Sequence, residues 1–336
     1  MEFDVVPVDL TGWYQGGAQD RDDVARKIDA ACAGSGFLAI TGHQVVSTVI
    51  SDMFETTTEF FERNVEQKMN VYLDDKAANR GYAPLGSEAL SYSLGVESPP
   101  DLFEAFNMGR QVPPASADEE VSAAYFSPNL WPDDVFRDVW LRYWHACEAL
   151  GLDLVDIFAV ALDLPPGYFR PFVDESISVM RANWYNRATG APPPEPGQLR
   201  MGAHSDYGCL TILAGDEVPG LQIRDTEGDW HDVQPPNGGF LVNLGDLLAE
   251  WTNDRWRATV HRVVPPVDGL DGAFRRRSIA WFQQPNHDAL IEVLPTCVSE
   301  DNPARYRPIT SGEHLMAKLL GPRSLTKSEA DQQFMH

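Results

Sequence analysis

The chain is short of cysteine, of basic residues and of long apolar runs, and each shortage removes a class of function. Its four cysteines, Cys32, Cys147, Cys209 and Cys297, show no C-x-x-C spacing. Cys32, Cys147 and Cys209 sit among apolar or small residues, as buried free thiols do, which fits a reducing, cytoplasmic compartment. Only 26 Lys and Arg stand against 50 Asp and Glu, a formal net charge of -24. A phosphate backbone or an anionic membrane surface is repelled by such a chain, so neither nucleic acid nor membrane is an expected partner. The acidic excess reads simply as a solubilising surface. No run of about 18 apolar residues occurs, and the opening MEFDVVPVDL lacks the basic and apolar regions of a secretory leader.

What is present supports a large core: 43% of residues are hydrophobic and 10% aromatic. The length of 336 residues suits one enlarged domain. Within 1-336 we expect an N-terminal helical cap over 1-170, a catalytic core over 171-300, and a C-terminal helix and tail over 301-336. Val5 to Leu10 alternates like a short strand, Asp20 to Ala33 carries Val24, Ile28 and Ala31 at helical spacing, and GFLAIT (36-41) reads as a strand. Val45 to Met69 reads as one or two amphipathic helices that bury Val49, Met53, Phe54, Phe60 and Phe61. From Tyr72 to Gln111 the periodicity is lost, a long irregular stretch whose aromatics argue for packed order. Trp131 to Leu164 is a long helix that starts at a Pro-bearing turn and stops at Pro165 and Pro166. His43 reads as a turn histidine and His145 as part of the long helix.

Past Tyr168 the character changes to nine short strands at intervals of about ten residues, between Ser176 and Val293. Antiparallel strands in two packed sheets, a double-stranded β-helix or jelly roll, follow most simply, so the fold class is mainly β with an α layer (α+β). The Pro-rich connection Asn186 to Gln198 reads as a surface loop, a lid or a plain hairpin loop. Ile309 to Leu320 is a further helix, and Thr326 to His336 a frayed tail.

The stretch MGAHSDYGCLTI (201-212) organises this core. On a strand, His204 and Asp206 emerge on one side with Ser205 turned away. His261, in RATVHRVV, is the natural third ligand. Two histidines and one carboxylate on one face of a metal are the arrangement that holds non-haem Fe(II) and leaves the opposite face open. H-x-D alone is weak. Its weight comes from the surrounding strands, Gly202, and a second strand-borne histidine after the turn at Gly245 and Asp246. Zinc would prefer a closed tetrahedral set, and a zinc hydrolase would want a further acid or base that the sequence does not locate.

From GFLAITGH (36-43) through RGYAPLGSE (80-88), DLFEAFNMG (101-109), SVMRANWYNR (178-187), GAHSDYGCLTIL (202-213) and GDLLAEWTNDRWRATVHRVV (245-264) to RRRSIAWFQQPN (275-286), the chain resembles the isopenicillin N synthase-like family of Fe(II)- and 2-oxoglutarate-dependent dioxygenases. The resemblance covers nearly the whole chain. It implies that His204, Asp206 and His261 are the iron ligands. It further implies that Arg276 and Ser278, the family's R-x-S pair, grip the distal carboxylate of 2-oxoglutarate, with Tyr185 of N-x-Y helping and Asn183 near the keto-acid end. Arg275 and Arg277 would then point elsewhere.

The reaction so implied is an oxidoreductase reaction: 2-oxoglutarate and O2 are consumed, succinate and CO2 are released, and an unactivated C–H bond of a small organic substrate is hydroxylated. Desaturation or ring closure is set by where the substrate carbon sits. By position in the family pattern, Arg181, Phe282 and Gln284 approach the substrate, with Tyr82, Tyr92 and Phe103 as walls, a setting that suits a molecule bearing a carboxylate. Two other readings stay open: an iron oxidase of the same fold that does not use 2-oxoglutarate, and a non-catalytic jelly-roll binding module.

Overall fold

A computed structural model describes residues 5–75, 78–186, 194–266 and 275–324, with side chains described to 318. Part of the 186–198 loop and all of the 326–336 tail lie outside the described residues. Its strands are β1 (Val6–Asp9), β2 (Phe37–Thr41), β3 (Gly81–Ala83), β4 (Glu104–Gly109), β5 (Val179–Asn186), β6 (Met201–His204), β7 (Leu210–Gly215), β8 (Leu221–Arg224), β9 (Trp230–Asp232), β10 (Phe240–Leu244), β11 (His261–Val263), β12 (Arg275–Gln283), β13 (Leu290–Ile291) and β14 (Ile309–Thr310). The helices are α1 (Thr11–Gln15), α2 (Ala18–Gly34), α3 (Ser47–Phe61), α4 (Val65–Met69), α5 (Glu119–Tyr125), α6 (Asp134–Ala161), α7 (Asp246–Trp251) and α8 (Ser311–Ser324). No described helix is long and apolar enough to cross a membrane.

The strands form a large sheet, ordered β1-β2-β10-β7-β12-β5-β4-β3, a smaller one, β6-β11-β8-β9, and a β13-β14 pair. This is the expected jelly roll. The smaller sheet is antiparallel throughout, and in the large sheet only β1 and β2 run parallel. Two corrections concern the first half of the chain. EAFNMG, within the stretch where periodicity is lost, is an inner strand of the large sheet, buried at five of its six positions. A strand buried on both faces does not alternate, which is why its pattern is silent. β1 and β2 likewise extend the large sheet instead of standing apart from it.

The two faces of the large sheet do different work, and period-2 alternation assigns them. On β12 the odd positions, Ile279 and Trp281, turn to the helices α2, α3 and α6 and join the main apolar core. The long helix starts at the N-cap Asp133, which accepts from Phe136 N at 2.8 Å. It presents Phe136, Trp140, Tyr143, Cys147, Leu150 and Leu154 on one stripe to that core, and a Cβ at Gly151 would meet Trp281 Cζ3 at 2.6 Å. All four cysteines are buried free thiols. His145 lies on the helix's outer surface, 3.5 Å from Glu148, and His43 bonds the Gly238 carbonyl from its turn.

The even positions of β12 face the smaller sheet. In register across the large sheet stand Arg276 and Tyr185, then Ser278 and Asn183, then Ala280 with Arg181 and Asn107, then Phe282 with Val179. Between the sheets, Phe103, Ala105, Tyr185, Met201 and Val263 make a second, smaller core. Above it the sheets part around a cavity of about 550 Å³.

Candidate metal centre and active site

His204 ends β6 and His261 begins β11, and the register places them directly opposite each other. Their ring centroids are 4.4 Å apart. Each imidazole is oriented from behind: His204 Nδ1 lies 2.8 Å from the Gly202 carbonyl and His261 Nδ1 3.1 Å from that of Thr259. A carbonyl can only accept, so Nδ1 carries the proton and Nε2 is left with a lone pair. Both Nε2 atoms converge on Asp206 Oδ1, at 3.7 and 3.8 Å. Possible ligand atoms of the three residues lie within 4.8 Å of one another, and all three are buried.

Asp206 does not reach this position by strand alternation. β6 stops at His204, so Ser205 and Asp206 already belong to the turn before β7, and Ser205, expected to turn away, borders the same cavity. The turn is held by other means. Asn243 Nδ2 donates to Asp206 Oδ2 at 2.6 Å and the Thr211 hydroxyl donates to the same oxygen, which leaves Oδ1 for the centre. The Asp206 carbonyl accepts from Asp246 N, at the start of α7, at 2.7 Å. Gly245 is required there because a Cβ would sit 2.2 Å from the Gly208 carbonyl.

Burial by itself would raise the Asp206 carboxyl, but His261, His204 and the two donors outweigh it and hold the group below the usual carboxylate range. Burial, reinforced by the neighbouring His261, pushes His204 down to about 4. A neutral imidazole beside a carboxylate is the state in which these groups ligate a cation.

Deeper on the same wall lies Arg276, 2% exposed, with Nε and Nη1 lacking a hydrogen-bond partner among the described residues. Its guanidinium lies over the Tyr185 ring at 5.1 Å. Asn183 Nδ2 reaches Ser278 Oγ at 3.4 Å, while Asn183 Oδ1 is buried without a partner among the described residues. A buried cation with idle donors is costly unless a ligand uses them, so this end fits an anionic acceptor. The neighbouring arginines point elsewhere. Arg275 is exposed and pairs with Glu62 at 2.8 Å, and Arg277 binds Asp216 at 3.2 Å and Thr58 at 3.0 Å on the helix-facing side.

Toward the mouth, Arg181, Phe282, Gln284, Tyr82 and Tyr92 line the cavity. Tyr82 does so only in part, since its hydroxyl donates to Glu104 and its ring packs on Phe60 in the main core. Phe103 lies outside the lining and supports the Arg181 guanidinium at 5.1 Å from its ring centroid. Arg181 is ion-paired with Glu88.

Sequence reading missed Thr211, Asn243, Glu88, Asp101 and Arg200. Asp101 is 1% exposed and accepts from Leu90 N at 2.9 Å and from the Gly202 amide, and burial pushes it up to about 6. Arg200 is buried, and that burial, with the charge of Arg276 nearby, pushes it down to about 10. Only Thr211 and Asn243 carried a signal, as polar positions inside otherwise apolar strands.

Two family descriptions match the chain: a non-haem dioxygenase N-terminal region over residues 6–134, named for morphine synthesis, and the 2OG-Fe(II) oxygenase superfamily over residues 176–285. The chain is 31% identical over 314 residues to the 2-oxoglutarate-Fe(II) type oxidoreductase hxnY of Emericella nidulans, covering 90% of this chain and 86% of that protein. It is 28% identical over 307 residues to a homoarginine-6-hydroxylase of Oryza sativa subsp. japonica, covering 90% of each. Among solved structures, a full-length Neurospora crassa protein in complex with alpha-KG and thymine matches with a TM-score of 0.81 at 29% identity, covering 94% of this chain and 96% of that chain.

Proposed function

The chain belongs to the 2OG-Fe(II) oxygenase superfamily, and from that premise we propose that His204, Asp206 and His261 hold its iron while Arg276, Ser278, Tyr185 and Asn183 seat its cosubstrate. It is a non-haem oxidoreductase that uses Fe(II), 2-oxoglutarate and O2 on a small-molecule substrate. The observation that carries the residue assignment is the pairing, on one cavity, of a buried two-histidine, one-carboxylate cluster with the idle guanidinium of Arg276.

Together the bound metal, cosubstrate and O2 supply the oxidative decarboxylation that yields succinate and CO2 and drives attack on a C–H bond. This chain's residues do the rest. Gly202 and Thr259 keep Nδ1 of each histidine protonated, so that each presents Nε2. Thr211 and Asn243 hold one Asp206 oxygen and present the other. Arg276 offers parallel donors to the far carboxylate, and Ser278 and Tyr185 complete that end. Ala280, Phe282 and Val179 keep water from the reacting carbon, and Arg181 and Gln284 orient the substrate. Hydroxylation is the default outcome.

The test is succinate release by the Fe(II)-loaded protein. We expect strict dependence on 2-oxoglutarate and a loss in His261→Ala of more than the roughly 100-fold that removing a hydrogen-bond partner behind a metal ligand costs at most. O2 consumption that continues without 2-oxoglutarate would speak for the oxidase reading.

A further inference from the structure

Arg181 does not stand alone at the substrate end of the cavity. Its Nη2 is paired with Glu88, its face lies on Phe103, and its Nε is buried without a partner among the described residues. Directly across the strands stands Asn107, whose Oδ1 is also buried and unpartnered among them. Both Arg181 and Asn107 line the cavity, one step nearer its mouth than Asn183 and Ser278.

Glu88 is built into this position. Its carbonyl accepts from Asp101 N at 2.8 Å, and the Asp101 carboxylate fastens the next turn through Leu90 N at 2.9 Å. Asp101 also holds the Gly202 amide, and its charge, like that of Glu88, acts on Arg181 from within the fold. The guanidinium is therefore paired with one carboxylate and lies within the field of a second. A substrate carboxylate accepting from Arg181 Nε would stand as a third anion beside Glu88 and Asp101, or else displace Glu88 and leave a part-buried acid unpaired, and either arrangement is unfavourable.

An uncharged group meets no such opposition. Glu88 accepts, Arg181 Nε donates, and Asn107 adds a polar edge, so an N–H set beside a C=O can be satisfied without disturbing the ion pair. The geometry points to Glu88 as a specificity-determining residue and to substrates that present an uncharged amide edge, a lactam or ureide, instead of a free carboxylate. This deepens the oxygenase reading and rests on it.

The experiment uses the full chain loaded anaerobically with Fe(II) and 2-oxoglutarate, and reads the shift of the metal-to-ligand charge-transfer band as probes are added. δ-Valerolactam and dihydrouracil are the uncharged probes, cyclohexanecarboxylate the anion and piperidinium the cation. Wild-type protein should bind the uncharged probes at least about tenfold more tightly than the anion. Glu88→Gln should weaken them by about 10- to 100-fold, the scale of one charge-assisted hydrogen bond, and strengthen cyclohexanecarboxylate. Tightest binding of cyclohexanecarboxylate or piperidinium by wild type, or one order of affinities in both proteins, overturns the inference. A band present with the wrong order overturns this inference alone, whereas no band before any probe overturns it together with the oxygenase assignment.

Discussion

Three consecutive arginines differ in what surrounds them, and that difference predicts three different phenotypes. Arg276 is buried with idle donors, Arg277 is spent on Asp216 and Thr58, and Arg275 is exposed beside Glu62. Arg276→Met should weaken 2-oxoglutarate binding by about 100-fold, as the loss of a buried charged partner does. Arg275→Met should leave it unchanged. Arg277→Met should lower stability by about 1 kcal/mol with cosubstrate affinity intact, because a partly exposed ion pair is worth little. Equilibrium titration and urea denaturation of the three variants separate these outcomes. The sequence made the Arg276 and Ser278 face legible, since residues two apart on a strand share a side. It could not make Glu88 legible, because a residue in a loop has no period and its partner is 93 positions away.

At the level of elements, two junctions are open to test. Helix α6 approaches the large sheet so closely that Gly151 leaves no room for a methyl group beside Trp281. Alanine is ordinarily the better helix former, yet Gly151→Ala should destabilise the protein by about 1–3 kcal/mol through overpacking, measured by denaturant unfolding. The second junction is Asp101, which ties the turn at Leu90 to β6 through Gly202. Burial raises its folded pKa to about 6, above the ordinary 3.8. Between those values the folded state holds a proton that the unfolded chain has lost, so this residue's contribution to stability falls as pH rises. Relative to Asp101→Asn, wild type should gain up to about 1.4 kcal/mol per pH unit as pH is lowered from about 6 to about 4. No difference in slope between the two proteins would show that Asp101 ionises as freely as in water. Long helices and alternating strands were readable from periodicity. β4 was not, because it is buried on both faces, and Asp206 reached the centre through a turn whose hydrogen bonds no strand pattern encodes.

For the molecule as a whole, the centre is assembled from distant parts of the chain. His204, Asp206 and His261 come from the end of β6, the turn that follows it and β11, the cosubstrate end from β5 and β12, and the mouth in part from β4 and the segment around Glu88. A ligand that bridges them binds the folded state only. Fe(II) with 2-oxoglutarate at about 100 times its Kd should therefore add about 2.7 kcal/mol and raise the melting temperature by several degrees. A chelator should reverse the shift. Activity requires that the buried triad bind Fe(II) and that 2-oxoglutarate chelate it there. Anaerobic visible spectroscopy of the apoprotein tests this most directly, with Fe(II) added first and 2-oxoglutarate second. A weak metal-to-ligand charge-transfer band should appear, saturate with 2-oxoglutarate and be absent in His204→Ala. A band that persists in His204→Ala, or iron binding without a band in wild type, would rule out this triad as the cosubstrate-bearing iron site.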